Sequence, residues 1–424
     1  MKTASFFIAC IIWIFMAVLP VAGADNNRQP GQPSARDRLP LAAGIAVNKA
    51  EQMFQAGEIQ TAIETLEEFI ARADKTGEKI KPEVIRAKGY HHPYLYFLLG
   101  NYYLSLGEGQ TDTPVSLTQK AAKYYRFSVE KDPGFSPAWL NLAKCSYETE
   151  DFKAAALAFE NGYKTSPTPK PVHLYYAAIC YYQSNDSHRA LEVFNSLLAD
   201  HPGDVTLTWK ETLVHILFSL DRHQQALSHI EELAKKSLPP KLGQWRETLL
   251  HQYLMLDMDE KALSYATGLT QTDPAEPKWW KALCHIHLKS GHRKKGLSAL
   301  ILYGFLTPMT REEQLLAADL YLSLDIPERA AVLYREVVSR ASDPALPDSG
   351  TLEKLTQAFV MAHDPANALK WLEIAVSALP EQSLDSTGDS TPDSKQTRFT
   401  DLKNYILHMK EIYEKASFVL KPAS

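Results

Sequence analysis

Three histidines offer the most suggestive chemistry in the chain. His215, His251 and His285 lie 36 and 34 residues apart, and Asp319 follows 34 residues later. Glu211 and Glu247 each precede a histidine by four residues, so on a helix each Glu–His pair shares one face. Imidazole and carboxylate are suitable metal ligands, and an imidazole changes charge between about pH 5 and 8. The same stripe also reads as a polar surface with ordinary intrahelical Glu–His pairs. Packed helix axes lie ~8–10 Å apart, so one site drawing on three successive helices is geometrically demanding. No catalytic constellation accompanies the stripe. The sequence has no glycine-rich phosphate loop, no GxSxG elbow and no HExxH motif. His285-Ile286-His287 and His91-His92 are local pairs without a matching ligand set. No catalytic residue, cofactor or defined metal set is therefore assigned.

The elements that would position these residues are set by a repeat. WKETLVHILFSLDRHQQALS from Trp209 and WRETLLHQYLMLDMDEKALS from Trp245 are identical at ten of twenty positions. The clearest unit, SPAWLNLAKCSYETEDFKAAALAFENGYKTSP, holds Trp139, Leu142, Ala143, Ala155, Phe159 and Pro167. Small residues at Ala143 and Ala155 let two antiparallel helices approach closely, large ones fill the space around that contact, and Pro167 ends the unit. The frame recurs at Ala178, Ala190 and Phe194, at Val214, Ala226 and Ile230, and at Leu250, Ala262 and Ala266. Further copies hold Gly296 and Leu300, Ala318, Ala330 and Tyr334, and Leu355, Ala368 and Leu372. Upstream, Gly100, Tyr103, Ala121 and Tyr125 fit when residues 107–116 form an inserted loop, and a weaker copy holds Ala50, Gly57, Ala62 and Leu66. This predicts about nine helix pairs between Ala43 and Pro380.

The flanks divide the rest. Lys2, the apolar run Ala4–Leu19, Pro20 and the small residues Ala22-Gly23-Ala24 read as a secretory signal over residues 1–24, cleaved after Ala24. An uncleaved anchor is the alternative, although the run is shorter than the ~17–25 residues a spanning helix needs. Residues 25–42 read as a flexible tether, 43–91 as a degenerate first pair with its linker, and 92–380 as the array. Residues 381–397 read as a low-complexity loop. Over 398–424, Phe399, Leu402, Ile406, Met409, Ile412 and Tyr413 recur at helical spacing, predicting an amphipathic helix that caps the last pair. The predicted product is exported to the periplasm, with no membrane span after cleavage.

The full chain has 424 residues and a net charge of −5. Removing residues 1–24, which hold one Lys and no acid, leaves −6. That balance excludes a strongly basic nucleic-acid binder. Four cysteines do not make a disulfide framework. Cys145 and Cys180 hold equivalent positions on neighbouring helices, a separation that packed helices rarely bring within disulfide range. Buried free thiols are expected there and at Cys284.

The Trp-Leu-small-Ala-aromatic-Pro spacing from Ala43 to Pro380 resembles that of tetratricopeptide-repeat proteins. The resemblance implies an all-α, right-handed superhelical solenoid whose first helices line a concave groove for a peptide or partner helix. On that frame the groove positions include Tyr147, Tyr175, Tyr182, Glu211, His215, Glu247, His251, Lys281, His285 and Asp319. Tyr94 and Phe97 would extend its aromatic half, with partial core packing as the alternative for such rings. Trp209, Trp245 and Trp279 are expected between helices. Asn101 and Asn141 match the family's carboxylate-clamp asparagines, but Phe97, Val172 and Tyr176 stand where its basic residues belong. Such a clamp is therefore not expected.

Trp279-Trp280, the run LTPMTREEQLLAADLYL and Ile326-Pro327-Glu328-Arg329-Ala330-Ala331 are similar to a narrower group of exported bacterial repeat proteins, described as components of TonB–ExbB–ExbD systems. This implies a non-enzymatic periplasmic adaptor whose partner is TonB, ExbB/ExbD or a TonB-dependent receptor. A scaffold for envelope polysaccharide export shares the fold. The alternative from another class is a periplasmic ligand- or metal-binding protein that uses the His/Glu stripe.

Overall fold

The computed structural model describes residues 39–73, 80–107, 115–339, 349–377 and 394–419. The described residues form twenty helices and no strand. They divide into two compact units, 1–249 and 250–424.

Unit 1 holds α1 (Leu41–Gln55), α2 (Ile59–Ala71), α3 (Pro82–Lys88), α4 (Pro93–Gly107), α5 (Val115–Lys131), α6 (Ser136–Glu148), α7 (Phe152–Thr165), α8 (Pro171–Gln183), α9 (Ser187–Asp200), α10 (Leu207–Ser219) and α11 (His223–Lys236). The boundary falls inside α12 (Lys241–Met255). Unit 2 continues with α13 (Asp259–Thr272), α14 (Pro277–Lys289), α15 (Arg293–Leu306), α16 (Arg311–Ser323), α17 (Pro327–Ser339), α18 (Ser349–Met361), α19 (Pro365–Ser377) and α20 (Ser394–Val419). α3 and α20 apart, the described helices make the nine expected pairs of an all-α repeat solenoid.

One local device closes most of the pairs. A residue with positive φ follows the first helix at Gly57, Glu150, Asn185, Asp221, Asp257, Gly291, Asp325 and His363. In each turn the next N–H donates to the carbonyl five residues back, as from Asp151 to Ser146 (2.8 Å) and from Met258 to Tyr253 (2.8 Å). This is a left-handed helix end that satisfies carbonyls the helix would otherwise leave open. Asn and Asp tolerate the conformation, which is why glycine is needed at only two of these positions. Three second helices then start on side-chain caps: Asp151 accepts from Ala154 N–H, Asp186 from Arg189 N–H and Asp364 from Asn367 N–H.

The small residues of the frame sit where the helices cross. Ala143, Ala155, Ala178, Ala190, Ala226, Ala262, Ala318, Ala330 and Ala368 are fully buried. Phe159, Phe194, Ile230, Leu300, Tyr334 and Leu372 fill the space beside them. A buried side chain of this size contributes about 1.5–3 kcal/mol. Gly100 shows how tight a crossing can be, since a Cβ there would lie 2.5 Å from the Tyr125 ring.

The expected linker after the first pair contains α3. Pro82 opens it, Glu83 lies in its first turn, and Arg86 and Lys88 lie in its last, so the charges complement the helix dipole. The array begins at Leu41, two residues before the expected start. α20 begins at Ser394, inside the stretch expected to be a loop. Ile406 is fully buried in the cluster formed by α16 to α19, and Leu402 packs against it. Ile412, expected on the same face, is instead half exposed. Phe399 and Tyr413 lie outside the described side chains, and residues 1–38, 108–114 and 378–393 lie outside the described residues. Among the described residues no helix is long and apolar enough to cross a membrane.

Candidate functional site

The candidate site is the face formed by the first helices of successive pairs, taken separately in each unit. In unit 1 the last turns of α6, α8 and α10 place Tyr147, Tyr182 and Phe218 at one register position. Tyr182 and Phe218 are half-buried. Burial raises the Tyr182 hydroxyl above the usual phenol value. Tyr147 is only 6% exposed, and its ring meets Phe152 edge-on at 5.5 Å. On the same face Lys144 reaches Glu148 at 4.0 Å. Burial raises the Glu148 carboxyl, against the opposing charge of Lys144.

Tyr175 departs further from its expected role. It is 7% exposed, stacks on Trp209 at 4.6 Å and 14°, and shares a 3.1 Å hydrogen bond with Thr212. Burial pushes its hydroxyl up to about 12. Tyr175 therefore joins α8 to α10 and offers little surface to a partner. Tyr94 and Phe97 are likewise core, with the Phe97 ring between Tyr125 and Phe135. For Tyr175 the physical reason is that the groove position of a first helix is also where the next first helix packs, whereas Tyr147 and Phe97 are met by Phe152 and Tyr125 on the second helices of their own pairs. Trp245 and Trp279 are buried and Trp209 is half-buried, as expected.

The charged positions are tied to the next repeat. Glu211 accepts from Lys241 Nζ at 2.6 Å and from Trp245 Nε1 at 3.3 Å. Beside it His215 is half-buried, with its ring 6.3 Å from Trp245. Burial lowers its pKa, Glu211 opposes that shift and Lys241 adds to it. In unit 2, Lys281 meets Glu313 Oε1 at 2.6 Å and lies 5.6 Å from the Tyr303 ring centroid. Glu313 also accepts from Thr310 N–H, closing a capping box at the start of α16. Burial alone would raise the Glu313 carboxyl, but the hydrogen bonds from Lys281, Thr310 and Tyr303 outweigh it and hold it low. Asp319 accepts from the Tyr334 hydroxyl and, at 2.8 Å to each oxygen, from Lys354 Nζ. Sequence reasoning missed Lys241, Glu313 and Lys354. A charge of opposite sign 30 to 35 residues downstream was the available signal.

Glu247, His251 and His285 are exposed. His215 belongs to unit 1, whereas His251 and His285 belong to unit 2. Among the described residues no group of three or more His, Cys, Asp or Glu side chains is gathered so as to hold a metal ion. Asn101 and Asn141 are spent on each other: Asn141 Nδ2 donates to Asn101 Oδ1 at 3.2 Å, and the same oxygen accepts from the Tyr125 hydroxyl at 2.7 Å. Cys145, Cys180 and Cys284 are free, buried thiols, and burial pushes Cys284 up to about 11. Cys10 lies outside the described residues.

A repeat of this geometry has relatives. Over 86 residues the chain is 33% identical to the TPR repeat-containing protein PA0015 of Pseudomonas aeruginosa, covering 20% of this chain and 73% of that protein. The tetratricopeptide-repeat sequence family also matches residues 117–169 and 174–204. The chain belongs to the tetratricopeptide-repeat family. Among solved structures it is similar to Naa15/Naa10 bound to HypK-THB, with TM-score 0.41, 15% identity and 87% of this chain covered. The chain spans 61% of the length of that structure. It is also similar to the C-terminal part of a TPR repeat-containing protein from Cytophaga hutchinsonii, with TM-score 0.39, 14% identity, and 61% of this chain and 98% of that one covered. Tetratricopeptide-repeat proteins generally act as protein-interaction scaffolds, and they bind proteins or peptides.

Proposed function

We propose that this tetratricopeptide-repeat protein is a non-enzymatic periplasmic adaptor that holds a peptide or helix of a protein partner, in support of a TonB-dependent transport system. The observation that carries the binding role is the Tyr182–Phe218 edge of unit 1. Two aromatic rings at one register position of adjacent repeats remain half-buried, while most of their neighbours are sealed into the core. Rings left partly open supply contact area at low entropic cost, as interface anchors do. Export is supported by the apolar run Ala4–Leu19 and the small residues before Asp25. The transport role is supported by the resemblance of the Trp279–Ala331 region to proteins described with TonB, ExbB and ExbD. The gathering of ligands that a metal site requires is missing among the described residues, so the His/Glu stripe carries no second reading.

Photo-crosslinking in intact cells, with probes at Tyr182 and His251, tests the proposal. Capture of TonB, ExbD or a TonB-dependent receptor at either position supports it. Capture of only an unrelated envelope protein removes the transport role and keeps the adaptor. N-terminal sequencing of the fractionated protein tests export, and a mature start at Asp25 in the periplasmic fraction is the expected result.

A further inference from the structure

A second surface lies on α15, away from the first-helix face. Leu302, Phe305 and Leu306 are exposed on this helix, Phe305 at 82%. Arg293, Lys294 and Lys295 form its first turn and are also exposed. Residues 294, 298, 302 and 305 follow helical spacing, so the lysines and the apolar side chains share one outward stripe. Internal repetition shows that this stripe is unusual. At the position of Leu302 the flanking second helices α13 and α17 carry Gly268 and Glu336, and at that of Phe305 they carry Gln271 and Ser339. The frame needs no apolar residue at either place.

The three cations are unusual in another respect. They stand at a helix N-terminus, where the dipole disfavours positive charge, and N-cap His292 supplies no side-chain hydrogen bond. None of the three makes an ion pair or a side-chain hydrogen bond among the described residues. Their neighbour Lys289, by contrast, is held by Asp257 and Asp259. Positive charge without a local partner, next to apolar surface without a packing reason, calls for complementary charge and apolar area from outside.

We propose that the outward ridge of α15 docks an acidic amphipathic helix of a protein partner. Leu302, Phe305 and Leu306 receive its apolar residues, and Lys294 and Lys295 receive its carboxylates. Seven to twelve residues separate the two groups, about 10–18 Å along a helix, so the partner carries its acids two to three turns from its apolar anchors. A partner helix is favoured over a lipid surface because Glu260 of α13 and Glu328 of α17 stand at the register position of Lys294, so the basic strip is one helix wide, which suits a helix lying along the ridge and not an extended anionic plane. This ridge does not depend on the groove reading, and Tyr182 separates the two.

The test is to pan a display library of helical 18-residue peptides on the full protein. The proposal expects enrichment of peptides with Leu, Ile or Phe at i, i+3 and i+4 and with Asp or Glu two to three turns away. Their affinity falls at least tenfold on Phe305→Ser and at least tenfold on Lys294→Glu/Lys295→Glu, weakens with added salt, and is unchanged by Tyr182→Ala. All these side chains are exposed or half-buried, and an unchanged circular-dichroism melt confirms folding in each variant. Failure to enrich such peptides, or affinity indifferent to the ridge substitutions, overturns the proposal. Phe305-dependent sedimentation with phosphatidylglycerol vesicles reassigns the ridge to a membrane, and Phe305-dependent self-association in ultracentrifugation reassigns it to a second copy. Either result overturns the partner helix.

Discussion

Neighbouring repeats are fastened differently in the two units. From α4 to α10 the first helices are joined by rings and apolar side chains, such as Phe97 against Phe135 and Tyr175 stacked on Trp209, and the Glu211–Lys241 ion pair enters only between α10 and α12. From α14 to α18 they are bridged by ions, Lys281 to Glu313 and Asp319 to Lys354. The register column Tyr147–Tyr182–Phe218 of unit 1 becomes Leu254–Leu288–Leu322 in unit 2. Buried rings contribute through area removed from water, a large and salt-insensitive effect. An exposed pair such as Lys354–Asp319 contributes a few tenths of a kcal/mol and weakens with ionic strength, whereas Lys281 meets a buried Glu313. The same backbone frame thus supports two kinds of seam. The aromatic one is buried, whereas the ionic one leaves Lys281, Asp319 and Lys354 in contact with solvent.

The strongest way to break this contrast is in the core of unit 1. Phe194→Ala should cost about 3–5 kcal/mol, and hydrogen exchange should place the loss in α8 to α11 while unit 2 keeps its protection. A uniform loss over both units would show that the seams are not independent.

Acid should act next most strongly, and first on unit 1. His173 is buried in α8 and its Nδ1 lacks a partner. Burial, helped by Lys170, pushes its pKa down to about 4. Its folded pKa is depressed, so the stability it contributes is present above the unfolded value of about 6.5 and is lost as pH falls toward 4. The loss is on the order of 2–3 kcal/mol. Denaturant midpoints between pH 7 and 4 should fall less in His173→Gln than in the parent.

The Tyr175–Trp209 stack should show a coupling of about 0.5–1.5 kcal/mol in a double-mutant cycle with Tyr175→Leu and Trp209→Leu, insensitive to salt. The smallest effect belongs to the ionic seam. Lys354→Ala should cost under about 1 kcal/mol in thermal melts at low salt and almost nothing in 1 M NaCl. A salt-independent cost would show that Lys354 matters through packing of its stem on α16 rather than through the charge of Asp319.

Much of the fold was legible because a repeat writes its core many times. Ala155, Ala190, Ala226, Ala262, Ala330 and Ala368 stand out by recurrence, and each is fully buried. The candidate site was less legible for the same reason. A groove position and an inter-repeat contact occupy the same helical face, so Tyr175 and Tyr182, seven residues apart on α8, look alike in sequence. Trp209 covers one and leaves the other half-open. The ridge on α15 is not legible in the sequence, because an apolar residue at helical spacing carries no sign of its exposure until its neighbours are placed.

By itself the sequence determined the period, the pairing of helices and which small residues lie at their crossings. Helical spacing and side-chain volume are local properties, and repetition amplifies them above chance. Tertiary structure alone decided which groups stay available. It spent Asn101 and Asn141 on each other, tied Glu211, Lys281 and Asp319 to the following repeat, and left Tyr182, His251 and Phe305 facing outward. Availability depends on what the neighbouring helix places opposite a side chain, and that neighbour lies some 35 residues away in the chain.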